Sequence, residues 1–323
     1  MDNNGGNEKI LKLNPIFKHV LWGGKKLRTS FGYNEEGEDI GECWAISAHK
    51  NGDCTIANGT FAGKKLSEVW NENYYLFGRD DESVKRGDVF PLLTKIIDAK
   101  EDLSIQVHPD NEYAYVNENG ALGKMECWYI IDCDDDTKIV IGHNCKNKEE
   151  LKNCINNDRY DELIREIPVK KGDFLQIDPG TVHAIKGGTL ILETQQSSDI
   201  TYRLYDYNRL QNGKLRELHK QQCIDVIKVP DNKKMGIHTT NDEFVKKLVT
   251  TEFYNVWKIS LKNESSGNIK FSNEKPYLLC SVIKGEISVF DKSMKKGDHF
   301  IITNGNCNNF NIEGKGELII SSI

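Results

Sequence analysis

The sequence predicts a mainly β protein, built as a large barrel or sandwich followed by a smaller one, and three observations carry that prediction. Short apolar stretches bounded by Gly, Asp, Asn or Pro recur along the whole chain, as the strands of an all-β fold do. The few segments with helical spacing do not alternate with those strands, so a wound parallel sheet is not indicated. A turn-and-strand unit also occurs twice.

Taken in order, Met1 to Lys9 is polar, has no basic region followed by an apolar one, and reads as a disordered tail rather than a secretory signal. Strands are expected at Cys43–Ser47, Trp128–Cys133, Phe174–Ile177, Thr189–Glu193, Thr201–Tyr205, Leu278–Ile283, His299–Thr303 and Leu318–Ser322. Lys64–Phe77 and Lys214–Val229 carry apolar residues at steps of three and four, and Lys148–Ile164 brings Leu151, Ile155 and Leu163 towards one face. These segments predict helices that decorate the β core.

The repeat lays KKGDFLQIDPGTVHAI, from Lys170, on KKGDHFIITNGNCNNF, from Lys295. Gly172 meets Gly297, Asp173 meets Asp298 and Gly180 meets Gly305, so each copy is a Gly-Asp turn, an apolar strand and a second Gly turn. His183 meets Asn308. A metal held by the first copy is therefore not expected in the second. The lysine-rich stretch near Pro230–Asp242 marks the boundary, which gives a tail over 1–9, a catalytic unit over 10–235 and a metal-free C-terminal unit over 236–323.

Composition narrows the function. No run approaches the roughly 18 apolar residues that a membrane helix needs, so no membrane partner is expected. A formal net charge of −6 argues against nucleic acid, whose phosphate backbone demands clustered positive charge. The nine cysteines are scattered without a C-x-x-C pair, which fits a reducing cytoplasm.

Three segments hold the inventory of a metal site: SIQVHPDNEY around His108, GKMECWYIID around Glu126 and DPGTVHAI around His183. On an extended chain Gln106 and His108 point to one face while Val107 points away. Two imidazoles and a carboxylate make a catalytic zinc set with a position left for water or substrate. No one of these residues is persuasive alone, since His19, His49, His143, His219, His238 and His299 are the same type. The same set on a β-barrel also describes a non-haem iron oxygenase. A sugar-phosphate-binding protein without catalysis is a third reading.

Longer motifs separate these readings. PIFKHVLWGG (Pro15–Gly24), GECWAISAH (Gly41–His49), FPLLTKIIDAKEDLSIQVHPD (Phe90–Asp110), GKMECWYIID (Gly123–Asp132), PGTVHAI (Pro179–Ile185), LETQQSSDITYRLYDYNR (Leu192–Arg209) and RELH (Arg216–His219) occur in this order. In them the chain resembles the type I mannose-6-phosphate isomerases in their short bacterial form, members of the cupin superfamily.

The resemblance implies a cupin (jelly-roll) barrel with peripheral helices and a smaller C-terminal cupin-like barrel. It also implies aldose-ketose isomerisation of a small sugar phosphate and one Zn2+ per chain held by His108, Glu126 and His183, with Gln106 as a fourth ligand that varies in the short form. By the same carry-over Arg203 is the catalytic arginine, Lys124 lies in the substrate pocket, and Ser104 and Lys95 serve the sugar phosphate. Asp178-Pro179-Gly180 departs from many relatives and is expected to change the local turn, not the ligand. The oligomeric state is left open between a monomer and a weak homodimer.

The chemistry explains these residue types. Moving a proton between C1 and C2 places negative charge on two sugar oxygens, which a dication and a permanently charged arginine can hold. Lys124 can donate, and desolvation would lower its pKa enough for it to shuttle a proton. For the base itself, Lys124, a metal-bound water, His49, Asp199 and Glu193 all stay open.

Overall fold

The computed structural model describes residues 8–231, 238–239, 243–271 and 275–323. Among these residues three large sheets dominate. A five-stranded sheet runs in the order Ile164–Pro168, Lys138–His143, His183–Ala184, Ile105–Val107, Tyr202–Tyr205. A seven-stranded sheet runs His238–Thr239, Asp173–Ile177, Glu126–Cys133, Thr189–Gln196, Leu92–Ala99, Ile16–Gly24, Ile40–Ile46. The third, eight-stranded sheet is built mainly from the C-terminal strands Val245–Thr250, Asn255–Lys270, Leu278–Val289, Lys292–Lys295, His299–Ile302 and Asn309–Ser322. Every strand expected from the sequence is present, several of them longer than expected.

Alternation of side chains decides what each sheet faces. From the seven-stranded sheet Ile97, Trp128, Ile130, Leu175 and Ile191 meet Ile139, Ile141 and Ile185 of the other sheet and its flank in one buried cluster. The two sheets therefore pack face to face, the jelly-roll arrangement of a cupin. Among the described residues their strand ladders do not join into a closed ring. The intervening residues Cys127, Tyr129, Ile131, Leu190 and Leu192 point the other way, against Tyr254, Tyr277, Leu279 and Ile319. The seven-stranded sheet is thus a middle layer, apolar on both faces. The C-terminal sheet encloses its own core of Trp257, Leu278, Cys280, Phe300, Ile302, Phe310, Leu318 and Ile320.

Helices cover the outer face of the five-stranded sheet. Leu151, Ile155 and Leu163 pack with Cys223 and Ile224 on Ile105, Val107, Val182, Ala184, Tyr202 and Leu204. Fully burying each aliphatic side chain of this kind contributes roughly 1.5–3 kcal/mol. The helical segments are shorter than expected. Lys64–Phe77 is a helix over Leu66–Glu72 and a 3-10 turn over Tyr74–Phe77, and Lys148–Ile164 breaks into Lys148–Asn156 and Tyr160–Leu163. In Lys214–Val229 only Lys220–Val226 is helical, because Lys214–Leu215 pairs back on Leu210–Gln211 across Asn212-Gly213. Both turn residues have positive φ, 52° and 75°, as a two-residue hairpin of this kind requires. A further helix, Asn111–Asn117, was not expected; it starts where the Asp110 carboxylate accepts the Tyr113 N–H.

The two copies of the repeat share a turn. Lys170 N and Lys295 N each donate to the aspartate three residues on, at 2.9 Å in both. Gly172 and Gly297 take φ of 86° and 90°. The N-terminal strand Ile10–Asn14 belongs with the second copy, since Leu11 registers with Ile301 and Leu13 with Ile56. The range 10–235 therefore opens with a strand of the C-terminal sheet. Of the polar start, residues 1–7 lie outside the described residues. Glu8 is tied down, accepting from Thr60 N at 2.9 Å and from Thr303 Oγ at 2.8 Å. Much of the proposed boundary, 232–237 and 240–242, likewise lies outside the described residues.

Candidate active site

The period-two rule that sorts the core also gathers the polar residues. Glu126 shares a face with Trp128 and Ile130, Glu193 with Ile191, and Lys95 with Ile97, so these three polar side chains enter the space between the facing sheets. From the other sheet Gln106 and His183 enter the same space, because their neighbours Ile105, Val107, Val182 and Ala184 are committed to the helices. Backbone pairing sets the depth: His183 registers with Gln106, and Gln106 with Arg203. Gly180 allows the tight approach before His183. Its φ is +84°, its N–H donates to His108 O at 2.9 Å, and a Cβ there would come within 2.7 Å of Val226 O.

His108, Glu126 and His183 are buried, and one ligand atom from each lies within 4.8 Å of the others. His108 Nε2 is 3.4 Å from Glu126 Oε2, His183 Nε2 is 3.3 Å from Glu126 Oε1, and the two Nε2 atoms are 3.2 Å apart. The far side of each ring fixes its tautomer. His108 Nδ1 sits 2.8 Å from Ile200 O and His183 Nδ1 2.9 Å from Thr181 O, so each Nδ1–H donates to a carbonyl and each Nε2 presents a lone pair. Glu126 Oε1 has no hydrogen-bond donor although it is fully buried. Two imidazole lone pairs and a carboxylate thus converge at contact distance; the Lys124 ammonium reaches the Glu126 Oε2 and His108 side of the group, and Glu126 Oε1 beside His183 is left without a donor. The residues fit a divalent metal. Gln106 stands beside both rings, its Nε2 3.5 Å from His108 Nε2 and 3.4 Å from His183 Nε2. Turning the amide over would present Oε1 instead.

Protonation follows the same geometry. Burial, then the Lys124 ammonium, pushes His108 from 6.5 down to about 3. Burial lowers His183 as well. For Glu126 burial alone would raise the pKa, but Lys124 and the two histidines outweigh it and hold the carboxylate well below its usual range. Lys124 Nζ donates to Glu126 Oε2 at 2.5 Å and lies 3.1 Å from His108 Nε2. Its pKa is raised, because Glu126 and Glu193 overcome desolvation. Desolvation acts on it in the lowering direction, as expected, but in the chain's own field these carboxylates retain its proton.

A cavity of about 170 Å³ opens beside this centre, and Lys95, Ser104, Gln106, Lys124 and Arg203 all line it. The structure thus brings together every site residue expected from the sequence. Glu193 lines it too, with Oε2 accepting from Trp128 Nε1 at 3.0 Å and Oε1 left without a donor. Burial and the nearby Glu126 raise its pKa. His49 and Asp199 pair with each other at 3.6 Å and do not line this cavity. Glu42 and Arg216 line it without having been singled out as site residues. The Asn212-Gly213 hairpin was the available signal for Arg216: pairing Leu210 with Leu215 brings Arg209 and Arg216 to its base.

A facing-sheet cupin holding two imidazoles, a carboxylate and an adjoining cation-lined cavity defines a class of metal-binding enzymes that act on small anionic molecules. Comparison with known proteins narrows the class. Residues 10–165 match the family described as phosphomannose isomerase type I, catalytic domain, and residues 245–323 match the mannose-6-phosphate isomerase cupin domain. Mannose-6-phosphate isomerase ManA of Bacillus subtilis is 47% identical over 96% of this chain and 97% of its own. The mannose-6-phosphate isomerase of Streptococcus mutans is 44% identical over 93% and 94%. The crystal structure of a Bacillus subtilis mannose 6-phosphate isomerase superposes with a TM-score of 0.87 at 44% identity, covering 98% of this chain and all (100%) of that one. Phosphomannose isomerase from Salmonella typhimurium, at 15% identity and a TM-score of 0.77, shares the fold. The chain belongs to the type I phosphomannose isomerase family.

Proposed function

We infer that this chain interconverts mannose 6-phosphate and fructose 6-phosphate by proton transfer between C1 and C2, with His108, Glu126, His183 and Gln106 holding one zinc ion per chain. The convergence of two Nε2 lone pairs on a buried Glu126 whose Oε1 has no donor carries this reading. A zinc ion in that set would supply Lewis acidity, offsetting the negative charge that develops on the sugar oxygens by about several kcal/mol. An iron oxygenase is not favoured, because the adjoining cavity is lined by Lys95, Lys124, Arg203 and Arg216, which suit a phosphorylated sugar.

The chain's own groups divide the remaining work. Of the side chains that could move the proton, Lys124 and Glu193 line the cavity; their charged ends lie 4.0 Å apart. Glu193, with its raised pKa and free Oε1, suits proton exchange with a sugar carbon or oxygen, and Lys124 holds a proton ready to donate to a sugar oxygen. Arg203 keeps Nε without an acceptor while Nη1 donates to Glu217 O at 2.9 Å. It remains charged and faces the enediolate as an electrostatic partner. Ser104, whose Oγ is 3.4 Å from Gln106 Oε1, and Lys95 contact the sugar phosphate.

All nine cysteines are free, in keeping with a cytoplasmic setting, and among the described residues no helix is long and apolar enough to cross a membrane. The test is metal analysis of the purified protein together with a coupled assay for fructose 6-phosphate formed from mannose 6-phosphate. Protein that carries zinc yet forms no fructose 6-phosphate would refute the reading.

A further inference from the structure

We propose that Arg216, forked onto Asp206 and set beside Arg203, is the residue that binds the substrate's phosphate group, with Asp206 as its positioning residue. The proposal rests on the isomerase reading and adds a phosphate-binding residue to it. Its first support is charge balance. At the metal end of the cavity each lysine already has carboxylate neighbours: Lys124 lies 2.5 Å from Glu126, and Lys95 lies 3.6 Å from Glu42 and 3.7 Å from Glu193. At the other end Arg203, Arg209 and Arg216 gather around Asp206, and the Glu217 carboxylate also acts on Arg203, so three cations face two anions. Arg203 has no ion-pair partner among the described residues, and the positive charge of Arg216 lowers its pKa after burial does. A sugar phosphate carries about −1.5 to −2 charges near neutral pH. The arginine end is where the protein's own charges leave room for it.

The second support is geometric. Arg216 donates from Nε to Asp206 Oδ2 at 2.6 Å and from Nη2 to Asp206 Oδ1 at 2.5 Å, a fork that fixes the guanidinium plane. The fork uses Nε and Nη2 and leaves Nη1 outside it, while the buried Arg203 Nε has no partner among the described residues. Arg209 holds Asp206 from the other side, Nη2 to Oδ1 at 2.6 Å. The backbone completes the frame: Arg203 N donates to His219 Nδ1 at 3.1 Å and His219 N to Arg203 O at 2.7 Å. Segment 216–219 is thereby strapped to the strand that carries Arg203. Two guanidinium groups on rigid supports beside one cavity, one with a buried unpartnered Nε and one with Nη1 outside its fork, match the oxygens of a phosphate group, and such bonds between charged groups are the strong ones.

The test uses the zinc-loaded full chain and two readouts, steady-state kinetics on mannose 6-phosphate and inhibition by inorganic phosphate. Arg216→Gln should raise KM and the phosphate inhibition constant together by roughly 10- to 100-fold, the range for losing hydrogen bonds between charged groups, with kcat within a few fold and zinc unchanged. Asp206→Asn should move both constants in the same direction by less, and Arg216→Lys should recover part of the loss. A phosphate inhibition constant unchanged in Arg216→Gln, or one that rises only in Lys95→Met, overturns the proposal. If Arg216→Gln does not fold, Arg216→Lys decides: it keeps the charge but not the planar fork, so an unaltered phosphate constant there is also a refutation. A parent protein without isomerase activity whose phosphate binding still depends on Arg216 would overturn the isomerase reading alone.

Discussion

Acidifying the chelator-treated protein from about pH 7.5 to about pH 5.5 should destabilise it through the imidazoles of the site itself. In the folded chain His108 is neutral, its pKa pushed from 6.5 to about 3 by burial and then by Lys124. In the unfolded chain it titrates near 6.5. Between those two values the unfolded state binds more protons than the folded one, so stability falls as pH falls, starting near pH 6.5 and continuing to about pH 3. At about pH 5.5 roughly nine-tenths of the unfolded imidazole is protonated, which makes the loss from His108 alone on the order of 1 kcal/mol relative to about pH 7.5. His183 acts in the same direction. Glu126 does not contribute in this window: its folded pKa is depressed, so its stabilisation is present above the unfolded value near 4.3 and is lost only at lower pH. His299, buried and pushed to about 4, contributes wherever the site is altered or not. The comparison is therefore between the parent and His108→Gln, by urea unfolding at both pH values. The parent should lose on the order of 1 kcal/mol more than the variant. Equal losses would mean that His108 titrates normally in the fold, and the argument for a neutral, metal-ready imidazole would fail.

Replacing His183 or Glu126 by Ala should abolish both bound zinc and activity, measured by metal analysis and the coupled assay, while His19→Ala, whose ring pairs with Asp39 and Glu35 at the surface, should leave both intact. Full zinc occupancy in His183→Ala would remove it from the ligand set. Arg203→Lys should lower kcat by about 10²-fold or more with zinc content and the limbs of the pH–rate profile unmoved, because a guanidinium does not titrate in the working range. A shifted limb would mean instead that Arg203 controls the proton-transferring group. One zinc per chain is expected, since Asn308, the counterpart of His183, is occupied in holding Lys275 through a backbone N–H to Oδ1 bond of 2.6 Å. Two tightly bound zinc ions per chain would contradict this.

The site was legible where a strand alternates. Once Val107 is taken as outward, Gln106 and His108 must be inward, and the same reasoning places Glu126 beside Trp128 and His183 between Val182 and Ala184. What alternation cannot supply is which sheet faces which. That is why Glu193 stood level with His49 and Asp199 as a base from sequence: only the pairing of Glu193 with Lys95 and Trp128 across adjacent strands puts it in the cavity. For Arg216 the Asn212-Gly213 turn was a signal of position at a hairpin base but not of which site that base adjoins. Arg216 stands in an irregular segment whose position depends on a long-range contact, the bridge from His219 to Arg203. Helix lengths were overread because apolar periodicity does not report competing strand pairing, as where Lys214–Leu215 folds back on Leu210–Gln211. The strand Ile10–Asn14 joins the far end of the chain, and no local pattern reports its partner.

The duplicated turn leads to what the C-terminal unit does for the catalytic one. Both copies use the Lys-Lys-Gly-Asp turn to launch a strand, and in the first copy that strand, Asp173–Ile177, registers Ile177 against Glu126 and Gln176 against Cys127. The C-terminal unit reaches this ladder from behind. Tyr254 is fully buried, and its hydroxyl donates to Gln176 Oε1 at 3.1 Å. Lys258 Nζ, 3.0 Å from Glu317 Oε2, lies over the Tyr129 ring, three residues along from Glu126. The middle sheet is therefore packed on both sides, with polar chemistry on one face and the second unit on the other. A ligand set that must be held to a fixed geometry needs such a wall, because Glu126 rides on this sheet and would move with its strand. The second copy carries Asn308 at the position of His183 and supplies the surface that braces the first.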